Sequence, residues 1–329
     1  MKYPKFLSDN STIGITALSG GVGRDLDRFK LSIKQIESNG FKTIETDSVR
    51  VDCYVSNTGF VRAKEFGQLI ENSSVDMIMC AAGGDFAVDM LPYVNASGIL
   101  NNPKWIMGAS DPTSILYYIT TVLDIATMYG YNAGAFDCDK LHESQANCFE
   151  IIKGNLIKQE SFELYESDKK SRTVNGYNLD TKVVYQNFNG DMDVTGRLIG
   201  GCIDCLKDVI GTKYDGTKQF IEKYKEDGIV WYFDIFALSS DTVYRTLLQM
   251  REAGWFKYTK GIVFGRVMYP EIKFDGFTYE KAITDVFDDI PLVFNADIGH
   301  VVPKMTLING AVAHIVSKNG TGSIEFELK

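Results

Sequence analysis

Apolar positions in the first third of the chain follow two alternating rhythms. STIGITALS is a short apolar run. DLDRFKLSIKQIESNG then places Leu26, Phe29, Ile33 and Ile36 on one helical face and stops at Gly40. FKTIETD, VDMIMCAAGG and KWIMG read as further strands. RAKEFGQLIENSS, AVDMLPYV and the long PTSILYYITTVLDIATMYG read as helices. Strands alternating with helices predict an α/β fold, with a doubly wound, flavodoxin-like parallel sheet over residues 1–135. The rhythm is lost over residues 136–195. FDCDKLHESQANC and ELYESDKKSRTVNGYNLDTK are polar and irregular, so this tract reads as a connector or excursion. A second α/β domain is predicted over 196–329, from RLIGGCIDCLKDVIG, GIVWYFDI, the helix TVYRTLLQMREAG, KGIVFGRV and DIPLVFNADIGH. GAVAHIVSKNGTGSIEFELK closes the chain as an antiparallel hairpin turning at Asn319 and Gly320.

Composition narrows the class. The chain has 329 residues, 45% hydrophobic and 23% charged, with a net charge of −9. That profile is soluble and globular, and the acidic balance argues against nucleic acid and anionic membrane as partners. The apolar windows are about half the roughly 20 residues a membrane span needs. MKYPKFLSDNSTIGI shows no secretory signal, and the six cysteines are scattered. A cytoplasmic protein acting on a small molecule is the expectation, and a homodimer is left open.

In parallel α/β sheets, functional groups gather in the loops that leave the carboxyl ends of strands. Gly83, Gly84 and Asp85 follow VDMIMC. Gly108, Ala109, Ser110 and Asp111 follow KWIM. Asp234 ends IVWYF, Gly265 and Arg266 end IVF, and NADIGH runs to His300. A serine, an acid, a histidine and a glycine pair are the parts of a serine hydrolase, with backbone N–H groups as oxyanion donors. Each has a plainer reading: a helix N-cap for Ser110, a turn for the glycines, a solvated acid, a structural histidine. GASD is also not the GxSxG elbow of the α/β-hydrolases.

Taken together, GASDPTSIL, AAGGDFAVDMLPYV, IVWYFD, AGWFKYTKGIVFGR and DIGHVVPKMTLINGA resemble segments of peptidase family S66, the LD-carboxypeptidases and microcin C self-immunity proteins, in family order. The resemblance implies a metal-independent serine peptidase: Ser110 as nucleophile, His300 as general base, and the backbone N–H groups of Gly84 and Asp111 as oxyanion hole. The acid position falls on Asp234, where the family carries glutamate, and this departure admits a catalytically inactive peptide-binding member. The implied substrate is a small peptide, a murein tetrapeptide cut at its L-to-D bond, with a peptidyl or aminoacyl nucleotide as the rival.

Three further features compete. GGVGRD with Glu45 beyond it suggests a dinucleotide site, but Leu26 occupies the third glycine position. Cys202 and Cys205 form a CIDC pair, yet no second pair or close-spaced histidines accompany it, so neither a metal nor another cofactor is expected. Arg266 is a candidate for binding a substrate carboxylate, with a structural ion pair as its alternative.

Overall fold

A computed structural model describes residues 1–168 and 175–329. Residues 169–174, part of the irregular tract, lie outside the described residues. In the first domain, β1 (Thr12–Thr16), α1 (Leu26–Ser38), β2 (Lys42–Glu45), α2 (Gly59–Glu71), β3 (Met77–Cys80), α3 (Ala96–Asn101), β4 (Trp105–Gly108), α4 (Thr113–Leu123) and β5 (Thr127–Tyr129) follow one another. The five strands pair in parallel in the order β2-β1-β3-β4-β5, the flavodoxin-like order. Ile13, Ile15, Met77, Met79 and Ile106 are fully buried between helix layers. Phe29 and Ile36 carry α1 onto the sheet, whereas Leu26, its first residue, remains exposed.

Two helix expectations change. AVDMLPYV is a 3-10 segment, Ala87–Tyr93, with Pro92 inside it, because proline removes an N–H that an α-helix needs. The long helix after KWIMG ends at Leu123. Asp124 takes a left-handed conformation as its C-cap, with φ +59°, and the remaining apolar residues form β5. A buried strand and a buried helix are both continuously apolar, so periodicity could not separate them.

The tract 136–195 contributes α5 (Glu143–Ile152), β6 (Gln159–Glu160), β7 (Leu164–Tyr165), β8 (Thr181–Lys182) and β9 (Gln186–Phe188). His142 and Gln145 form a reciprocal cap at the start of α5. Phe136 stacks on Phe149 at 4.7 Å, and both are buried in the first core.

The remaining chain supplies β10 (Met192–Cys202), α6 (Ile203–Leu206), α7 (Thr217–Lys223), β11 (Ile229–Asp234), α8 (Ser240–Glu252), β12 (Thr259–Gly265), α9 (Tyr279–Thr284), β13 (Leu292–Ala296), β14 (Leu307–Asn309), β15 (Val312–Lys318) and β16 (Thr321–Glu327). The second sheet runs β6-β16-β15-β10-β11-β12-β13-β9, with β10 to β13 parallel and its outer strands antiparallel. Both of its edge strands come from the irregular tract, and the β15–β16 hairpin turns at Asn319–Gly320 as expected. A cluster of aromatics covers one face. Trp231 stacks on Phe233 and Trp255, and Trp255 stacks at 5.3 Å on Tyr117 of α4. In the other direction, β14 pairs antiparallel with β5 and completes the first sheet. The two halves are interleaved, and the carboxyl ends of β4 and β11 open toward a shared region.

Candidate active site

Ser110 occupies the turn between β4 and α4 with φ +68°. A non-glycine residue there is strained, and such outliers persist only where the surroundings hold them. Asn132 clamps the turn by accepting from Ala109 N–H at 2.9 Å and donating to Ala109 O at 3.2 Å. Thr113 N–H and its hydroxyl both donate to Ser110 O, at 2.9 and 2.6 Å. The N-cap of α4 is Pro112 and no side chain caps the helix, so the Ser110 hydroxyl is not spent on capping. Gly83 passes directly over it: a Cβ there would lie 3.1 Å from Ser110 Oγ.

Gly84 and Asp111 border the same cleft as Ser110, about 280 Å³ in volume. No hydrogen bond among the described residues takes up either backbone N–H. The Asp111 side chain has a separate task. Its Oδ2 accepts from Ala87 N–H at 2.7 Å, tying the 3-10 segment behind the glycine pair to the Ser110 turn. Burial pushes that carboxyl up, against hydrogen bonds from Ser19 and from the Ala87 and Phe86 backbone.

Asp234 ends β11 fully buried, and its Oδ2 lies 2.7 Å from His300 Nδ1. The same oxygen accepts from the Tyr129 hydroxyl at 2.6 Å, and the Tyr129 oxygen accepts from Ser110 N–H at 3.1 Å. An unbroken chain thus runs from the Ser110 backbone through Tyr129 and Asp234 to His300. Burial raises the Asp234 carboxyl, but the charge and hydrogen bond of His300, the Tyr129 hydroxyl and Lys304 outweigh it and hold it below its ordinary value. Burial, reinforced by Asp234, pushes the Tyr129 hydroxyl far up, so it remains a neutral donor. The aspartate reaches the histidine because Gly299, at φ +100°, lets the backbone pass close: a Cβ at 299 would sit 2.1 Å from Asp234 Oδ1.

Phe236 tilts over the His300 ring at 4.4 Å between centroids. Asp204, the acid inside CIDC, holds that loop by accepting from the N–H groups of Phe236, Ala237 and Leu238 at 3.0, 2.8 and 3.1 Å. Phe236 also lines the Ser110 cleft, while His300 lines a second, larger cleft of about 430 Å³, so the two clefts adjoin across this ring. Ser110 and His300 are not directly bonded, and His300 Nε2 has no hydrogen-bond partner among the described residues.

Arg266 lines the larger cleft, paired through Nη2 with buried Asp297 and lying over the Tyr165 ring at 4.5 Å. Its Nε and Nη1 are buried and make no hydrogen bond among the described residues. The CIDC pair is less isolated than its spacing implied. Cys202 Sγ, an Asp234 oxygen and a His300 nitrogen lie within 4.8 Å of one another. Sheet topology brings together residues about 30 and 100 positions apart, which a search for close-spaced ligands cannot detect. The GGVGRD loop is tucked against Val49, to whose carbonyl Val22 N–H donates at 2.8 Å, and Glu45 is engaged by Arg50 at 2.7 and 2.8 Å. Among the described residues no helix is long and apolar enough to cross a membrane.

The LD-carboxypeptidase N-terminal domain model of peptidase S66 matches residues 13–130, and the LD-carboxypeptidase C-terminal domain model matches 195–315. The chain belongs to peptidase family S66. A Vibrio cholerae protein whose name assigns it provisionally to the carboxypeptidases is 26% identical over 99% of this chain and 98% of its own length. The microcin C7 self-immunity protein MccF of Escherichia coli is 27% identical over 91% of this chain and 88% of its own. In three dimensions, an MccF-like protein from Bacillus anthracis superposes with a TM-score of 0.85 at 21% identity, covering 100% of both chains. MccF bound to aspartyl sulfamoyl adenosine superposes at 0.82, with 22% identity over 99% of this chain and 98% of that one. The S66 assignment supports a hydrolase of the peptidase type.

Proposed function

We propose that this S66 member is a serine-type carboxypeptidase working by acyl transfer. The observation that carries the reading is the chain Ser110–Tyr129–Asp234–His300, with a strained serine at one end and an unbonded imidazole nitrogen at the other. Ser110 Oγ attacks the scissile carbonyl while its proton passes to His300 Nε2. The Gly84 and Asp111 N–H groups receive the oxyanion. Asp234 fixes the imidazole tautomer and steadies its positive charge. His300 then returns the proton to the leaving amine, and water releases the acyl group from Ser110 by the same relay. In unliganded hydrolases the serine–histidine bond is often long and tightens with substrate. Arg266 is buried against Asp297 at the wall of the larger cleft with its Nε and Nη1 enclosed, so meeting the substrate's free carboxylate would require that pair to open.

The favoured substrate is a murein tetrapeptide cut at its L-to-D bond. Most aromatics of the irregular tract support this: Phe136, Phe149, Phe162 and Tyr185 are buried in the core and so offer no stacking platform for a base. The resemblance to MccF favours the second reading, an aminoacyl nucleotide, for which Tyr165, faced by Arg266, is a ring that the irregular tract brings to the larger cleft. The protein should be offered a muropeptide tetrapeptide and an aminoacyl sulfamoyl adenosine side by side. Release of terminal D-alanine alone supports the first reading, and cleavage of the nucleotide compound alone replaces it with the second. Cleavage of neither by folded protein leaves a peptide-binding member.

A further inference from the structure

We propose that Cys202, Asp234 and His300 form a binding site for a thiophilic divalent metal ion, and that Zn²⁺ held there inhibits the enzyme. The three side chains come from the end of β10, the end of β11 and the loop after β13, and their donor atoms lie within 4.8 Å of one another. A thiolate, a carboxylate and an imidazole are a zinc donor set, and a tetrahedral ion holds such atoms about 3.5 Å apart. The closure needed is about one ångström of side-chain rotation. The site has spare valence. Asp234 Oδ1 and His300 Nε2 make no hydrogen bond among the described residues, although buried polar atoms are nearly always paired. Cys202 Sγ is engaged weakly, by the Cys205 thiol and by a long contact to Asp204 at 3.7 Å.

Access is provided by the Ser110 cleft, which Cys202 lines together with Asp85, Asp111, Asp204 and Asp208. The cationic side chain on that wall, Lys207, is already paired with Asp208. Such a wall concentrates cations. On binding, the Cys202 S–H bond breaks, its proton leaves to solvent and an S–Zn bond forms. His300 donates a lone pair as neutral imidazole, water fills the open position, and no electrons change hands. The consequence for turnover rests on the proposed serine mechanism: a neutral imidazole bound to zinc through one nitrogen carries its proton on the other, so neither can accept the Ser110 proton.

The binding test uses the full chain, stripped of metal and titrated with Co²⁺. The expected signal is thiolate-to-cobalt charge-transfer absorption saturating at one equivalent. It should vanish in Cys202→Ser and Cys202→Ala and persist in Cys205→Ser. In His300→Ala the affinity should fall by more than the roughly 10–100-fold that loss of an outer-shell partner costs. Circular dichroism melts establish that each variant is folded. No band in the wild type, or one that survives in folded Cys202 variants, overturns the site. The turnover test adds Zn²⁺ to wild type and to Cys202→Ser, with reversal by EDTA. Inhibition confined to the wild type supports the proposal. Equal inhibition of both, or stimulation, overturns the inhibitory role. A cobalt band in a protein with no hydrolytic activity sinks the proposed function and leaves the metal site standing.

Discussion

Replacing Gly299 with alanine isolates the contact on which the acid–histidine pair depends. The new methyl would be built 2.1 Å from Asp234 Oδ1, 2.4 Å from Cγ and 3.0 Å from Cβ. Carbon atoms rest comfortably about 3.5–4.0 Å from such neighbours, so the carboxylate has to withdraw by more than about 1 Å. It cannot withdraw without lengthening its 2.7 Å contact with His300 and its 2.6 Å bond from Tyr129. A displacement of about 1 Å in a catalytic group can reduce rate by about 100-fold. Stability should also fall, by about 1–2 kcal/mol for left-handed backbone without glycine and about 1–3 kcal/mol for overpacking. The assay is the rate at which a fluorophosphonate labels Ser110, which reads nucleophile activation without a known substrate, paired with a urea-unfolding midpoint. Gly320→Ala is the control. It also has a positive φ, +82°, but its Cβ meets only Val184 at 3.4 Å. It should lose stability and keep its labelling rate. A Gly299→Ala protein that labels within roughly threefold of wild type would refute the role given to Asp234.

Ser110→Ala should lower turnover by at least about 1,000-fold and leave the unfolding midpoint unchanged, because the hydroxyl caps no helix; a loss of about 1 kcal/mol with activity intact would mean that it is a cap after all. Tyr129→Phe removes a hydrogen bond to a charged carboxylate, a type contributing about 1.5–3 kcal/mol, so kcat should fall about 10–100-fold with KM little changed, and an unaltered kcat counts against the relay. EDTA should not lower the turnover of purified protein, whereas a loss that zinc restores would contradict a serine mechanism. Hydrogen bonds from Lys225, Tyr258 and Lys257 hold Glu222 at about 2, down from 4.5. Its contribution to stability is therefore complete above pH 4.5 and lost as pH falls toward 2. Glu222→Gln should flatten the urea midpoint across that window, and parallel wild-type and variant curves would exclude the linkage.

The strand–helix alternation of the first third was legible because each element there has its own period and its own stop. Failure came where the period is ambiguous: a left-handed Asp124 divides one apolar run into α4 and β5, and nothing in the composition of LDIATMY announces it. At the site, Ser110, Asp234 and His300 stand out as candidates in the sequence because parallel sheets deliver residues to one edge. Tyr129 reads as an ordinary strand aromatic until β5 is placed beside β4. Asp204 has no sequence signal of its own, since its three backbone partners lie more than thirty residues away. Neither the approach of Cys202 to His300 nor the burial of Arg266 against Asp297 has a local signature, since each depends on how distant strands pair.

The antiparallel pairing of β14 with β5 governs how this protein can be divided. A fragment ending before β10 would retain every strand of the flavodoxin-like order and still expose β5, whose Thr127, Met128 and Tyr129 are buried in the intact chain. Bare strand edges recruit other chains. Asn309 would also be missing, and with it the buried bonds to Tyr232 at 3.0 Å and Thr127 at 3.4 Å that join the two sheets. The family's two domain models therefore mark units of descent and not units that can be cloned apart. Grafting a relative's C-terminal half onto this N-terminal half would have to match the β14 seam as well as the residues of the candidate site.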